Sequence, residues 1–230
     1  MGRAIRSREP ETSGVQPGGE LGSRAGRARA FVARTIDVGF ALAALSLGSP
    51  IMLVVAIIIR LDTPGPAIFR QTRMGRNLRP FTFYKFRTMY DDARERFPEL
   101  YEYGYTREEL QTLRFKIEGD PRLTPVGRWL RKTSLDELPN FVNVLRGDMH
   151  LVGPRPEIPE MIPNYLPHQL SKFTVKPGVT GLAQCSGRAN LTFQETIAFD
   201  LEYVQRRSFG FDVLVFARTV KVLLSHVGAF

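Results

Sequence analysis

The sequence predicts an α+β, mainly helical protein in which one apolar membrane segment joins a small globular domain with a short β-hairpin and interfacial amphipathic helices. Three observations carry this prediction. An uncharged apolar run occupies Val38 to Ile59. Two short strand-like stretches follow it, separated by turn residues. The rest alternates charged helical stretches with proline-rich loops and ends on an apolar pattern of helical period. The chain accordingly divides into a basic tail at 1–33, a membrane segment at 34–62 and a globular domain at 63–230.

The tail is rich in Gly, Ser, Pro and Arg and has little to bury, so disorder is expected. A secretory signal fits poorly, because no apolar run begins before Val38 and no clean cleavage site follows it. As a straight helix, Val38 to Ile59 would be roughly 33 Å long, enough to cross a bilayer core. Ser49-Pro50 sits at its middle, where the missing proline N–H predicts a kink. Arg34 precedes the run, and Arg60 follows it with Arg70, Arg73, Arg76 and Arg79 beyond. A single crossing would place such cations mainly on one side. Two geometries meet these facts. In one, the helix bends at Ser49-Pro50 and returns to its face of entry, with freed backbone groups bonded by Ser46 or Ser49. In the other, it is a kinked single crossing.

Past Arg60, Ala67–Arg73 and Pro80–Phe86 resemble strands, with Gly75 and Asn77 suited to the turn between them. Residues 91–118 are highly charged and contain helical stretches such as ARERF and REELQTLRF, part of which suits a membrane surface. A helix is expected from Asp136 or Leu138 to Arg146, stopped by Gly147. Proline-rich loops fill 153–167, and Phe193–Arg207 and Phe211–Val227 read as two more helices. In the last, Val213, Phe216, Val220, Leu223, Leu224 and Val227 share one face. Arg218 and Lys221 interrupt it, so it packs on the core or lies in the lipid interface rather than spanning.

The net charge of +9 calls for an anionic partner: nucleic acid, a phosphorylated substrate or an acidic membrane. No groove-reading or RNA-binding motif is present, and many of the arginines lie beside the membrane segment, where anionic lipid explains them. Nucleic acid is therefore not an expected partner. The single cysteine, Cys185, excludes an internal disulfide framework and reads as a plain thiol; one Cys and three scattered His make no zinc site.

The chemistry centres on SLDELPN, Ser134 to Asn140. Ser134-x-x-Glu137 matches a capping box, and taken alone the acidic pair reads first as a helix start. Capping and catalysis are compatible, since a helix N-terminus favours ionised carboxylates. One of the pair can attack phosphorus while the other holds Mg²⁺. Lys85 and Arg87 stand in FYKFRTM, and Arg128, Arg131 and Lys132 come just before the acids. Arg155 is set between Pro154 and Pro156, which stiffen its loop and aim a fork donor suited to a diphosphate. Carboxylates, cations and a divalent ion are the parts phosphoryl transfer needs, because its catalysis is largely positioning and charge neutralisation. KPGVTGLAQ, Lys176 to Gln184, and Ser186 to Arg188 carry no Walker loop, so a structural turn is the expected reading there.

The ordered motifs RTIDVGFALAALSLGSPIML, GPAIFRQTRMGRNLRPFTFYKFRTM, LTPVGRWLRKTSLDELPNFVNVLRGDMHLVGPRPE, KPGVTGLAQCSGR and DLEYVQRRSF resemble the bacterial sugar transferase family. These are the monotopic phosphoglycosyl transferases that start O-antigen, capsule, exopolysaccharide and glycoprotein glycan assembly. The resemblance runs from about Arg34 to the C-terminus and matches the short, catalytic-core form of the family. It implies that 34–62 is a re-entrant helix-turn-helix bent at Ser49-Pro50, on the cytoplasmic face of the bacterial inner membrane. It implies that Asp136 attacks the β-phosphorus of a UDP-sugar, releases UMP and holds the sugar-phosphate until polyprenyl (undecaprenyl) phosphate displaces it. By the same resemblance Glu137, with Asp136, associates with Mg²⁺, while Lys85, Arg87, Arg131 and Arg155 contact substrate. Asp200 and Asp212 fall at acidic positions of the pattern with no assigned role. The implied partners are a UDP-sugar, polyprenyl phosphate and anionic membrane lipid, with a homodimer also compatible. The alternative is a membrane-tethered, non-catalytic scaffold of polysaccharide machinery.

Overall fold

Proline inside an apolar helix leaves the carbonyl four residues back without its partner. The computed structural model, which describes residues 24–187 and 190–225, shows how this chain answers that problem. Helix α1 (Arg24–Asp62) runs without a break through Pro50, and the Ser49 hydroxyl donates to the Ser46 carbonyl at 2.8 Å. That carbonyl is the one the proline orphans. The Ser49-Pro50 pair, where the bend is expected, thus lies inside one continuous helix with a side-chain repair at its middle. The helix also begins at Arg24, within the stretch expected as tail, because the Arg- and Ala-rich residues ahead of the apolar run are good helix formers. The disorder expected for residues 1–23 lies outside the described residues.

Both ends of α1 dock on the same domain. Near its start, the Arg34 guanidinium donates to the Val144 and Leu145 carbonyls, Asp37 pairs with His150 and accepts from the Leu151 amide, and Ala41 is buried in the main core. Near its end, Val55 and Ile59 pack with Phe86 and Leu130. Between them Leu47, Ile51, Leu53 and Val54 are exposed. The most apolar part of the helix is long enough to cross a membrane and only 17% of it is buried.

Strands β1 (Ile68–Met74) and β2 (Pro80–Phe86) form the expected hairpin, antiparallel from Ile68 opposite Phe86 to Met74 opposite Pro80. Asn77 and Leu78 take the positive φ angles that turn it, 57° and 56°. The charged stretch yields only short elements: helix α2 (Ala93–Arg96), a 3-10 segment at Pro98–Tyr101, and helix α3 (Arg107–Thr112), which a Thr106–Glu109 capping box starts. Helix α4 (Pro125–Thr133) then approaches the hairpin so closely that a Cβ on Gly127 would lie 1.9 Å from the Thr88 carbonyl oxygen. A 3-10 segment, Leu135–Asn140, leads into α5 (Phe141–Arg146), which Gly147 ends with φ 84°. Strands β3 (His150–Val152) and β4 (Gly178–Thr180) pair in parallel. A Cβ on Gly178 would meet the Gly153 amide nitrogen at 2.1 Å. The glycines of Lys176–Gln184 thus serve close backbone approach, as expected for a structural turn; Arg188 lies outside the described residues.

Helices α6 (Leu182–Ser186), α7 (Phe193–Arg206) and α8 (Phe209–Ser225) complete the fold. The central core gathers Phe83, Val144, Met149, Leu182, Tyr203 and Val215. Of the two places expected for the apolar face of α8, packing on the core is not the one it takes. Phe211 and Val215 point inward, whereas Val213, Val220, Leu223 and Leu224 are exposed. Phe216 is half-buried, edge-on to Phe40 of α1 at 5.3 Å. Val227 lies outside the described residues. The helix is apolar on two sides, so packing consumes one stripe and leaves the other outward.

Candidate active site

The site forms where the hairpin meets the turn after α4. Ser134 takes a left-handed conformation, φ 59°, as it ends α4, and reverses the chain into the 3-10 segment. This reversal brings Arg131, in the last turn of α4, near Asp136. It also undoes the expected capping box. In that backbone conformation the Ser134 side chain makes no cap hydrogen bond. Glu137 turns instead to the Arg155 guanidinium, at 2.9 Å, and accepts from Asn140 Nδ2 at 2.6 Å.

Four of the expected residues, together with Glu137, share one electrostatic neighbourhood. Asp136 is buried, 7% exposed, and feels Glu137, Lys85, Arg131 and Arg155. Burial and the adjacent Glu137 push its carboxyl up to about 6, against the pull of the three cations. The dipole-held ionisation expected at a helix start therefore loses to desolvation here. Burial acts on Glu137 in the same upward sense, but the charge and hydrogen bond of Arg155 overcome it and leave this carboxyl below its ordinary value. Lys85, on β2, loses hydration and stands near Arg131; together these bring its ammonium down to about 7 despite Asp136. The Lys85 ammonium also lies over the Phe69 ring at 5.3 Å.

Arg87 does not join them. It is 3% exposed and donates to the backbone carbonyls of Thr63, at 2.7 Å, and Pro64, just past the end of α1. Strand β2 ends at Phe86, so the alternation that faces Lys85 to the site no longer governs Arg87. The sequence reading also passed over Arg73 as a site residue. Across the hairpin register, Phe69 faces Lys85 and Arg73 faces Phe81, so Arg73 and Lys85 share one side of the sheet. Arg73 Nη1 donates to the Pro156 carbonyl at 3.1 Å, next to Arg155, and burial lowers its pKa to about 10. The alternation within QTRM was the signal available.

Asp200 and Asp212 gain places. Asp200 pairs with Lys172 at 3.0 Å in the core, and Asp212 accepts from the Tyr203 hydroxyl at 2.7 Å. Neither neighbours Asp136 directly. Among the described residues no group of three or more His, Cys, Asp or Glu is placed to hold a metal. The adjacent carboxylates of Asp136 and Glu137 do fit the donor set of Mg²⁺, which takes one or two protein carboxylates when substrate phosphates supply the remaining oxygens.

This arrangement, several cations around a buried carboxylate, has the parts that phosphoryl chemistry on an anionic substrate needs. Residues 28–226 match the family model described as bacterial sugar transferase, and the chain belongs to that family. It is 42% identical over 197 residues to the galactosyl transferase CpsE of Streptococcus agalactiae, covering 85% of this chain and 43% of that protein. It is 38% identical over 204 residues to the undecaprenyl-phosphate galactose phosphotransferase of Salmonella typhimurium, covering 89% and 43%. It is 39% identical over 224 residues to the UDP-glucose:undecaprenyl-phosphate glucose-1-phosphate transferase of Caulobacter vibrioides, covering 94% and 77%. The chain thus spans less than half the length of some curated relatives and most of another.

Proposed function

We propose that this protein transfers a sugar-phosphate from a UDP-sugar to polyprenyl (undecaprenyl) phosphate, releases UMP, and so begins assembly of a bacterial polysaccharide or glycoconjugate. The observation that carries this reading is the crowding of Lys85, Arg131 and Arg155 around Asp136 and Glu137. The excess of cations over carboxylates leaves positive charge for a diphosphate to neutralise. Asp136 is the nucleophile: its carboxylate oxygen bonds to the β-phosphorus while the bond to the bridging oxygen breaks, and UMP departs with that electron pair. The acceptor's phosphate oxygen then attacks the same phosphorus and frees the carboxylate. Glu137 stays ionised because Arg155 holds it. Mg²⁺ is the expected cofactor, held by Glu137 with Asp136; when bound it supplies charge neutralisation on the diphosphate.

The acceptor is a lipid, and the outward apolar surfaces of α1 and α8 support a seat at a membrane. Both ends of α1 rest on one domain with an exposed apolar middle and Pro50 between them. That supports a helix that dips into one leaflet and returns, placing the domain on the cytoplasmic face of the inner membrane. The test is a screen of UDP-sugars with undecaprenyl phosphate and Mg²⁺. UMP is the expected product with one or more donors, and release of UDP in its place contradicts the reading.

A further inference from the structure

A second charged group lies behind the site, buried in the domain. Lys172 and Asp200 are paired at 3.0 Å with side chains only 2% and 1% exposed. Lys172 also donates to the Tyr165 hydroxyl oxygen at 3.0 Å. Tyr165 in turn donates to Glu157 Oε2 at 2.9 Å, and the Ile158 amide donates to Glu157 Oε1 at 3.1 Å.

The bonds in this chain have a fixed direction. An ammonium can only donate, so Lys172 occupies a lone pair of the Tyr165 oxygen. The one hydroxyl proton of Tyr165 is thereby committed to Glu157. Asp200 keeps Lys172 charged and in place. The order is Asp200, Lys172, Tyr165, Glu157.

Glu157 matters because it competes. Arg155 is drawn electrostatically by both Glu137 and Glu157, yet its ion pair is with Glu137. The backbone near Arg155 is already fixed: the Met74 amide donates to the Glu157 carbonyl at 2.7 Å, and Gly178 N donates to the Pro154 carbonyl at 3.0 Å. The element still able to move is the Glu157 carboxylate. We infer that Asp200, Lys172 and Tyr165 form a positioning relay that holds the Glu157 carboxylate away from Arg155 and so commits that guanidinium to Glu137 and the substrate diphosphate. Asp200 thus acts on the site through a chain of three side chains, without touching substrate.

The kinetic readout rests on the transferase reading above, so a second readout needs no substrate. Tyr165→Phe keeps the ring against Phe173 and Phe193 and removes only the hydroxyl. It should lower kcat/KM for UMP release about tenfold, and adding Glu157→Gln should bring the rate back to within about threefold of wild type. In ¹⁵N spectra of the ligand-free protein, the guanidinium signals of Arg155 should shift in Tyr165→Phe and return in the double variant. A double variant as slow as, or slower than, Tyr165→Phe, or Arg155 signals unchanged by Tyr165→Phe, overturns the relay. A wild-type protein that releases no UMP while its Arg155 signals follow the expected pattern contradicts the transferase reading and supports the relay.

Discussion

Two clusters of charge in this protein are built on opposite terms. Lys172 and Asp200 form a one-to-one pair in the core, with Tyr165 and Glu157 continuing the chain of contacts. Around Asp136, the cations Lys85, Arg131, Arg155 and Arg73 outnumber the adjacent carboxylates Asp136 and Glu137. The consequences differ. Arg155 overcomes burial to keep Glu137 ionised, while burial and Glu137 raise Asp136 to about 6, and burial with Arg131 lowers Lys85 to about 7. Matched charge is a feature of a folded core. Mismatched charge held in place is destabilising until an anion arrives, which fits the diphosphate donor proposed above.

The contrast can be broken at each cluster. Asp136→Asn should reduce UMP release by about a thousandfold or more, since it removes the proposed nucleophile. The same substitution should raise thermal stability by about 1 kcal/mol, because a strained carboxylate is removed; a release assay and a melting curve check both. Lys172→Met should act in the opposite sense on the fold, costing about 3–5 kcal/mol by leaving Asp200 buried without its cation. Denaturant unfolding in detergent measures that loss, and Lys172→Met with Asp200→Leu should recover most of it. Arg87→Ala should cost about 2 kcal/mol by leaving carbonyls at the end of α1 unsatisfied, with kcat for folded protein unchanged.

The pH dependence sharpens the same comparison. In the proposed mechanism Asp136 attacks as the carboxylate, so kcat/KM should rise about tenfold per unit as pH increases toward about 6. Lys85 must be charged to attract the diphosphate, so activity should fall as pH rises past about 7. The profile is a narrow bell whose two apparent pKa values belong to the interacting pair. Lys85→Arg should remove the alkaline fall, because the guanidinium stays charged. The smallest expected effect is at the membrane helix: Ser49→Ala should cost about 1 kcal/mol by orphaning the Ser46 carbonyl again.

Much of this was legible in the sequence, and the parts that were not have definite causes. The hairpin could be read because alternation and turn residues are local signals, and its observed strands lie within a residue of the expected ones. Asp136, Glu137 and Arg155 could be picked out from their local contexts, whereas Lys85 and Arg131 joined them only through the resemblance to the family. Arg87 could not be separated from Lys85, since its guanidinium is taken up by the Thr63 and Pro64 carbonyls just past α1, a contact distant in sequence. The Ser134 cap failed because one residue both ends α4 and opens the next turn, and its left-handed backbone serves the first task. The Lys172–Asp200 pair leaves no trace in composition: each residue alone reads as surface charge, and only the packing of α7 against the 3-10 segment Pro167–Thr174 brings them together.

In the proposed mechanism Asp136 carries the sugar-phosphate covalently. This is tested most directly by intact-protein mass spectrometry, with peptide mapping, after incubation with the preferred UDP-sugar and Mg²⁺ in the absence of polyprenyl phosphate. The account predicts a mass increase of one sugar-phosphate located on Asp136, one UMP released per adduct, and loss of the adduct when the lipid acceptor is added. Release of UDP, or release of UMP with Asp136 unmodified, would contradict it.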